Sequence, residues 1–380
     1  MKKKVMMCSS VHVWNDTRIY FKEAISLANR GYQVDFYAID YEAEKVEIEN
    51  LNMHYLPPHK RFSRPLLWLR LYKIAKKKEF DYFHFHDPEL LLVSHFLKKT
   101  LSNKVSYIYD MHEHLPAAIK TKPWIPKVFR QSVSNLVDRI EKKLMKSLDA
   151  VIFAEKSYKE NYRTLDIEQE DLLNYPKMVT KNTTLKKADI FTLVYVGGLI
   201  EQRGLFNMLE LAKELKNNTK MGDFRMRLIG PMLSNKAEVE NFIKVNELTN
   251  HIVIYPRLSY SDIWRHYQES HIGMCLLHPT PNNLNSSSTK LYEYMVAGLP
   301  VIASDFPQFK QLLQKYDCGD VGGTEDVSKF VKDVLYYYHN EKERAQKGAN
   351  GQNLEFSWAS QEAKMYDLYK YLSLRKDNLK

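Results

Sequence analysis

Hydrophobic runs of strand length alternate with helical patterns along the chain. Lys4–Ser9 is an apolar run typical of a buried strand, a helical pattern ending at Gly31 follows, and Gln33–Ile39 is a second run. This order predicts two parallel strands joined by a right-handed helical crossover. The alternation starts afresh at Phe191–Val196, so the pattern predicts an α/β fold with two parallel-sheet domains.

The pattern weakens between the two halves, where residues 163–189 carry many charges and Pro176. We interpret this stretch as the linker and place the domains at residues 1–180 and 181–357. A last helical pattern runs from Phe356 to Leu374. A length of 380 residues suits two domains of ordinary size.

A net charge of +10 predicts attraction to an anionic partner, whether a nucleic acid, a phospholipid surface or a phosphorylated substrate. The three cysteines are too few and too widely spaced for a disulfide framework or a zinc site, and they fit a reducing cytosol. The apolar run after the first lysines is too short for a signal peptide, and no stretch approaches the ~20 apolar residues of a spanning helix. We therefore expect a cytoplasmic protein whose membrane contact is at most peripheral.

Four hydroxyl residues at positions 286–289 precede a helical pattern that starts at Lys290, and Gly298 is placed to end that helix in a left-handed conformation. Hydroxyl side chains favour helix caps, and the free N–H groups of a helix start bind anions such as phosphate. Lys290 puts a positive charge where the helix dipole favours a negative one, which a bound anion would explain. Glu293 follows one turn later, where its carboxylate could accept hydrogen bonds from ribose hydroxyls. A serine-rich loop before an ordinary amphipathic helix would show the same spacing.

Two glycines follow the first strand of the second domain. Gly197 and Gly198 come directly after Phe191–Val196, and Arg203 precedes the next helical pattern. Glycine lets the backbone approach a ligand closely, and Arg203 brings a cation to the same end of the strand. A pair of glycines by itself is a weak indication of a binding site.

Histidine and acidic residues follow two consecutive strands of the first domain. The run Asp81–His86 continues into D-P-E, and the run Val105–Asp110 continues into M-H-E-H. Ligands of doubly wound sheets bind at the carboxyl ends of the strands, so these residues are candidates for a site. They could also suggest a metal ion, held by some of His84, His86, Asp87, His112, Glu113 and His114. Their spacing lacks the i, i+4 helical histidine pair of zinc proteases, so we predict no metal.

Two segments of the first domain leave alternatives open. Residues 12–19 either contribute to a site or only start the next helix, with Asp16 as its cap and Arg18 on the surface. Residues 57–78 place apolar side chains, including Trp68, on one helical face and surround them with lysines and arginines. This pattern is typical of a helix that lies in a membrane surface, and equally of a helix that covers a sheet and exposes a basic face.

These motifs occur in the order seen in GT-B glycosyltransferases of family 4, which the chain resembles from His12 to Trp358. The similar segments read H-x-x-x-D-T-R-I, H-D-P-E-L-L, Y-D-x-H-E, Y-V-G-G-L-x-x-x-R-G-L and, at the end of the serine-rich stretch, G-L-P-V-I-A-S. The resemblance implies two Rossmann-like domains that face a cleft, with residues 358–380 returning to the first domain. It also implies a retaining transferase that takes a UDP-sugar or GDP-sugar in the second domain and an acceptor in the first, without a cofactor or a metal.

The same resemblance implies roles for individual residues. His112 and Glu113 would face the donor sugar and the acceptor as catalytic residues. Arg203 and Lys290 would stabilise the departing diphosphate, and Glu293 would hold the ribose. The implied donor site is completed by Gly197, Gly198, Asn285, Ser287, Ser288 and Thr289.

The chain departs from the family pattern at three of these positions. Asn285 stands where the family usually has the first glutamate of Glu-x7-Glu. Gly198 replaces an arginine and Arg203 replaces a lysine, so the expected phosphate clamp lacks one positive charge. These departures affect the contacts to the sugar and to the diphosphate.

We predict a transferase on the inner face of the cell membrane that glycosylates a lipid-linked intermediate of a bacterial surface polysaccharide such as capsule or O-antigen. A nucleotide-sugar 2-epimerase of the same fold is an alternative, which would form an epimer without an acceptor. A nucleic-acid-binding protein would also explain the charge, although the chain has no recognition motif for nucleic acid.

Overall fold

A computed structural model describes residues 2–40, 47–101, 105–120, 122, 124–177, 186–280, 283–284 and 287–378. The chain forms two compact units. The first runs to Asn174 and resumes at Ala359, and the second comprises Tyr175–Trp358. Each unit contains a parallel sheet and its own helices, which confirms the predicted α/β fold with two Rossmann-like domains.

The sheet of the first unit has seven parallel strands among the described residues. They are β1 (Lys4–Val13), β2 (Gln33–Ile39), β3 (Leu51–Leu56), β4 (Tyr82–Phe85), β5 (Ser106–Met111), β6 (Ala150–Phe153) and β7 (Glu168–Asp171). Their order is β3-β2-β1-β4-β5-β6-β7, so successive strands are added in opposite directions on the two sides of the β1–β4 pair. Doubly wound sheets bind ligands beyond the carboxyl ends of such a pair.

Helices cover this sheet. The first, α1 (Ile25–Asn29), continues a π-helical turn at Ile19–Ala24. The next ones are α2 (Arg64–Ala75), α3 (Leu90–Thr100), α4 (Leu115–Ile119), α5 (Lys127–Met145) and α6 (Lys156–Lys159). Leu71 of α2 and Leu97 of α3 share a buried core with Phe85 of β4, and removing this apolar surface from water is what holds the layers together.

The second unit has a six-stranded parallel sheet within its described part. Its strands are β8 (Phe191–Val196), β9 (Phe224–Ile229), β10 (Ile252–Tyr255), β11 (Ile272–Cys275), β12 (Val301–Ser304) and β13 (Gly319–Gly322). The order β10-β9-β8-β11-β12-β13 places the reversal between β8 and β11. Every residue of β8, β11 and β12 is buried, as expected of parallel strands covered on both faces.

The helices that belong to the second unit connect these strands. They are α7 (Leu205–Asn217), α8 (Lys236–Val245), α9 (Tyr260–Glu269), α10 (Thr289–Val296), α11 (Pro307–Tyr316), α12 (Ser328–His339) and α13 (Glu341–Gly351). Leu209 of α7 and Val334 of α12 share the core of this unit with Leu193 of β8.

The last helix, α14 (Trp358–Asp377), lies from Ala359 onward in the first unit, which confirms the predicted return of the chain. Tyr369 of this helix is fully buried. Its hydroxyl lies 2.8 Å from Nδ1 of His84, and its carbonyl oxygen accepts a hydrogen bond from the Tyr82 hydroxyl at 3.0 Å. The helix is therefore an integral part of the core of the first unit.

The predicted linker is wrong in one respect, because residues 163–189 contain the strand β7. This strand pairs with β6 at the edge of the sheet, and all four of its residues, E-Q-E-D, are half-buried. Charged residues are common in edge strands, where they discourage pairing with other chains. Such a strand has no apolar pattern by which the sequence would reveal it.

Helix α2 shows both of the properties that its sequence suggested. Leu67 and Leu71 are buried in the core, and Trp68 is half-buried against it, so Trp68 is not available for insertion into a membrane. Leu66 remains 71% exposed on the other side of the same helix, and Phe62 just before it is 96% exposed. Within the described part of the chain, no helix combines the length and the apolar character needed to cross a bilayer.

Candidate active site

Two adjacent strands of the second sheet bring the glycine pair close to the serine-rich stretch. β8 and β11 are hydrogen-bonded neighbours, and Gly197 directly follows β8. The Cys275 thiol at the end of β11 donates to the Ser288 hydroxyl at the start of α10, with 3.4 Å between Sγ and Oγ. The glycine pair and the start of α10 therefore lie at the carboxyl ends of two neighbouring strands.

Tight packing holds Arg203 at the same end of the sheet. Gly204 has a φ of +76°, and a Cβ at this position would lie 1.9 Å from the carbonyl oxygen of Leu276, the residue after β11. Only glycine combines that conformation with so close an approach. A Cβ on Gly197 would lie 3.3 Å from Nη1 of Arg203, so the guanidinium stands beside the glycine pair.

The charges of Arg203, beside the glycine pair, and Lys290, in the first turn of α10, both act on the buried Cys275 thiol. Burial raises its pKa to about 11, and the hydrogen bond with Ser288 and the charges of Lys290 and Arg203 oppose that rise. Arg203 lies beside Gly197 at the end of β8, and Lys290 follows the Ser288 cap that contacts Cys275 at the end of β11. This end of the second sheet is therefore positively charged.

The start of α10 keeps its backbone donors available. Ser288 is the N-cap residue, but its side chain makes no capping hydrogen bond. The N–H of Leu291 donates to the Ser288 carbonyl at 3.2 Å, and the N–H groups before it, which have no partner within the helix, can receive an anion. At the other end, Gly298 has a φ of +74° and Leu299 N–H donates to the Tyr294 carbonyl at 2.9 Å, which confirms the predicted glycine stop.

Lys290 and Glu293 form an ion pair within α10. Nζ of Lys290 lies 2.8 Å from Oε2 of Glu293, as expected for residues three apart on one helical face. The Tyr267 hydroxyl donates to the same oxygen at 2.6 Å. Glu293 is buried, so these two donors compensate the cost of removing its charge from water.

In the first unit, Arg18 is buried, so the alternative that placed it on the surface is wrong. Its guanidinium donates to both carboxylate oxygens of Asp110 at 3.0 Å and to the Leu172 carbonyl oxygen at 2.5 Å, and Nε lies 2.8 Å from Oε1 of Glu23. Burial raises the pKa of Asp110, but the Arg18 charge, together with the charge and hydrogen bonds of His112 and His86, holds that pKa well below its ordinary value. Asp16 caps the π-helical turn that begins at Ile19, because its Oδ1 accepts hydrogen bonds from the N–H groups of Arg18 and Ile19.

Asp110 connects this ion pair to His112. Nε2 of His112 lies 3.2 Å from Oδ2 of Asp110 and 3.3 Å from Nδ1 of the buried His86. The His112 ring is partly exposed and lies 5.1 Å, between centroids, from the ring of His12 near the end of β1. His112 thus follows β5 and lies near the ends of β1 and β4, with its Nε2 held by Asp110 and its ring partly exposed.

The six side chains considered as metal ligands are not gathered in one place. Only His84 and His86 belong to such a group, with potential ligand atoms within 4.8 Å of those of Glu23 and Asp110. The other four, Asp87, His112, Glu113 and His114, are outside it. Arg18 already contacts both of the carboxylates in it. A divalent cation there would face a buried guanidinium, which makes the donor set a poor fit to a metal.

Comparison with known protein families agrees with this architecture. Residues 21–172 match the family model described as Glycosyltransferase Family 4, and residues 179–354 match the model described as Glycosyl transferases group 1. The two matches together cover most of the chain, so it belongs to the glycosyltransferases, and its fold is of the GT-B type. It is therefore an enzyme of the transferase class, as predicted.

Solved structures of similar fold include other proteins of this class. A sucrose-phosphate synthase from Thermosynechococcus elongatus superposes with a TM-score of 0.68 at 15% identity, covering 98% of the glycosyltransferase and 99% of that chain. A glycosyltransferase from Rickettsia africae gives 0.69 at 13% identity, with 98% of each chain covered. WaaG, a glycosyltransferase involved in lipopolysaccharide biosynthesis, gives 0.67 at 12% identity, with 96% and 99% covered. These likenesses show the fold alone, and the glycosyltransferase has no significant sequence match among curated proteins.

The structure brings most of the residues proposed for the donor together at one end of the second sheet. They are Gly197, Gly198, Arg203, Ser288, Thr289, Lys290 and Glu293. Ser287, just before this helix, is exposed, and Asn285 lies outside the described residues. In the first unit of the glycosyltransferase, Glu113 is exposed and contacts Lys122 at 3.9 Å, apart from the Asp110–His112 pair.

The sequence did not reveal the buried residues that pair with or hydrogen-bond to the site residues. Glu23, Asp110 and Tyr267 are buried polar residues whose partners are far away in the chain. Glu23 gave a usable signal, because it lies four residues after Ile19 and four before Leu27, on the apolar face of its helix. A charged residue at such a position needs a buried partner.

Proposed function

We propose that this glycosyltransferase transfers a sugar from a UDP-sugar or GDP-sugar bound by the second unit, with retention of configuration at the anomeric carbon. The observation that carries the proposal is the placement of Arg203 beside the glycine pair that follows β8, and of the start of α10 with Lys290 at the end of the neighbouring strand β11. Solved structures of the Anabaena protein HepE, which has a similar fold at 12% identity, contain UDP or UDP-glucose. They support a nucleotide sugar as the donor.

The chemistry follows from the charge that develops on the leaving group. Breaking the bond between the sugar and the diphosphate leaves negative charge on the phosphate oxygens. Arg203 and Lys290 supply two positive charges, and the first N–H groups of α10 supply hydrogen-bond donors in fixed positions. Protein groups thereby take the role that a divalent cation has in other transferases.

Nucleoside diphosphate should therefore bind without a metal ion. We expect isothermal titration calorimetry to show binding of UDP or GDP that is equally tight with and without EDTA. Uridine or guanosine, which lack the diphosphate, should bind much more weakly, because they cannot use the cationic end of the sheet. Binding of neither nucleotide, or binding that needs a divalent ion, would contradict the proposal.

His112 and Glu113 of the first unit are proposed to act at the sugar and the acceptor, and the partly exposed His112 ring on its Asp110 support favours this for His112. Product formed with an added acceptor separates a transferase from a 2-epimerase, which converts its nucleotide sugar alone. The coupling constant of the anomeric proton in that product reports whether configuration was retained.

The proposed acceptor is a lipid-linked glycan at an anionic membrane surface. The exposed side of α2 supports this, since Leu66 and Leu69 are 71% and 48% exposed and border a shallow groove with Arg70, Lys73 and Lys77. Phe62 extends the apolar part of this surface. Apolar side chains ringed by lysine and arginine are typical of segments that rest on lipid headgroups.

Vesicle binding should depend on these three cations. We expect the protein to co-sediment with phosphatidylglycerol-containing vesicles and not with neutral ones, and high salt should release it. Changing Arg70, Lys73 and Lys77 together to glutamine should weaken binding roughly tenfold or more. The control changes the exposed Arg225, Lys236 and Lys244 of the second unit in the same way and should retain binding. Equal sedimentation with neutral vesicles would favour an acceptor that is not bound to a membrane.

A further inference from the structure

Among the described residues, only one carboxylate oxygen of Glu293, Oε2, accepts hydrogen bonds. Oε2 accepts from the Tyr267 hydroxyl at 2.6 Å and from Lys290 Nζ at 2.8 Å. No described residue donates to Oε1. A carboxylate oxygen can accept at least two hydrogen bonds, so Oε1 is the atom that a ligand would meet.

Tyr267 is held more firmly than Lys290. Its side chain is fully buried on α9, and its ring makes edge-to-face contacts with Trp264 and Tyr294 at centroid distances of 5.7 and 5.3 Å. Burial raises the pKa of the phenol, as does the neighbouring Glu293, so the hydroxyl keeps its proton. Hydrogen bonds from a neutral donor to a charged carboxylate are among the stronger ones in proteins.

Glu293 and the diphosphate of the proposed donor compete for the Lys290 ammonium group. In the structure it pairs with Glu293, yet in the proposed function it meets the diphosphate. A lysine that turns toward phosphate no longer restrains Glu293, whereas Tyr267 lies under the helix and stays in place. The bond from Tyr267 is then the one that keeps the carboxylate oriented.

We propose that Tyr267 is a positioning residue of the donor site, which fixes Glu293 so that Oε1 accepts hydrogen bonds from the ribose hydroxyls of the nucleotide. This inference rests on the proposed function. It predicts that Tyr267 matters only for nucleotides that carry those hydroxyls.

The test compares ribose and dideoxyribose nucleotides by calorimetry, with the uridine or guanosine diphosphate that the wild type prefers. Tyr267→Phe should weaken binding of the ribonucleotide about tenfold, near the lower end for a hydrogen bond to a charged group. Wild type and variant should bind the 2′,3′-dideoxy form equally, since it offers Glu293 no hydroxyl. Tyr267→Phe in a Glu293→Gln background should cost little more than Glu293→Gln alone.

Tyr337→Phe is the matched control, because Tyr337 is also fully buried and its hydroxyl donates to a carboxylate, Asp320, away from the donor residues. It should leave the ratio of the affinities for the ribonucleotide and the dideoxynucleotide unchanged.

Glu293→Asp tests the same point without altering Tyr267, because the shorter side chain withdraws the carboxylate from the phenol. This variant too should lose affinity for the ribonucleotide alone. Equal losses for both nucleotides, or full retention of both, would overturn the positioning role. A wild type that binds neither nucleotide would instead overturn the proposed function.

Discussion

Arg18→Met is expected to lower the free energy of unfolding by about 3–5 kcal/mol, the usual cost of removing one partner from a buried ion pair. Arg18 is buried and neutralises Asp110, which is fully buried as well. Methionine fills a similar volume but leaves the carboxylate without its counter-ion. Urea denaturation of the full chain, followed by circular dichroism, measures the difference between wild type and variant.

A control and a rescue sharpen this result. Arg70→Met, on the exposed side of α2, should change stability by no more than about 0.5 kcal/mol. Adding Asp110→Leu to Arg18→Met should recover part of the loss, because buried ion pairs can often be replaced by apolar residues. An Arg18→Met variant as stable as the wild type would show that the ion pair contributes nothing to the fold.

Lys290→Ala and Arg203→Ala are each expected to lower kcat for the donor by roughly 10²–10³-fold, the range found when one stabilising donor of a developing anion is removed. Each side chain brings one of the two cations whose charges act on the Cys275 thiol. Release of nucleoside diphosphate from the donor, with water as the acceptor, measures the rate without knowledge of the natural acceptor.

The matched control for this experiment is Lys310→Ala on α11, an exposed lysine of the same unit that is not among the proposed donor residues. It should retain the wild-type rate. If Lys290→Ala and Arg203→Ala raised KM alone and left kcat unchanged, both residues would bind the ground state and not the departing diphosphate.

The sequence predicts those parts of the fold that rest on local patterns. β8, β11 and β12 are apolar runs because parallel strands are covered on both faces, and Gly298 ends α10 because its backbone needs a positive φ. The edge strand β7 was missed because its residues are charged and half-buried. A hydrophobic pattern in the sequence does not reveal a charged edge strand that pairs with a single neighbouring strand.

The same distinction between local and long-range features applies to the candidate site. Residues 197–204 and 288–293 are short segments whose glycines, cap and charges lie close together in the chain, and the sequence predicts them as groups. Arg18 and Asp110 are 92 residues apart, and Tyr267 and Glu293 are 26 apart. No sequence periodicity connects residues so far apart, so only the folded chain shows that Arg18 pairs with the buried Asp110 and that Tyr267 donates to the buried Glu293.

The position of α14 bears on how the protein is made. Most of the first unit is synthesised first, but the helix that carries Tyr369 into its core is synthesised only after the whole second unit. While the chain is still on the ribosome, Tyr82 and His84 lack the partner that covers them in the finished fold. The N-terminal unit therefore cannot mature ahead of the rest, as domains commonly do during translation. A stop codon within the second unit would therefore leave the first unit without α14, with Tyr82 and His84 lacking their partner.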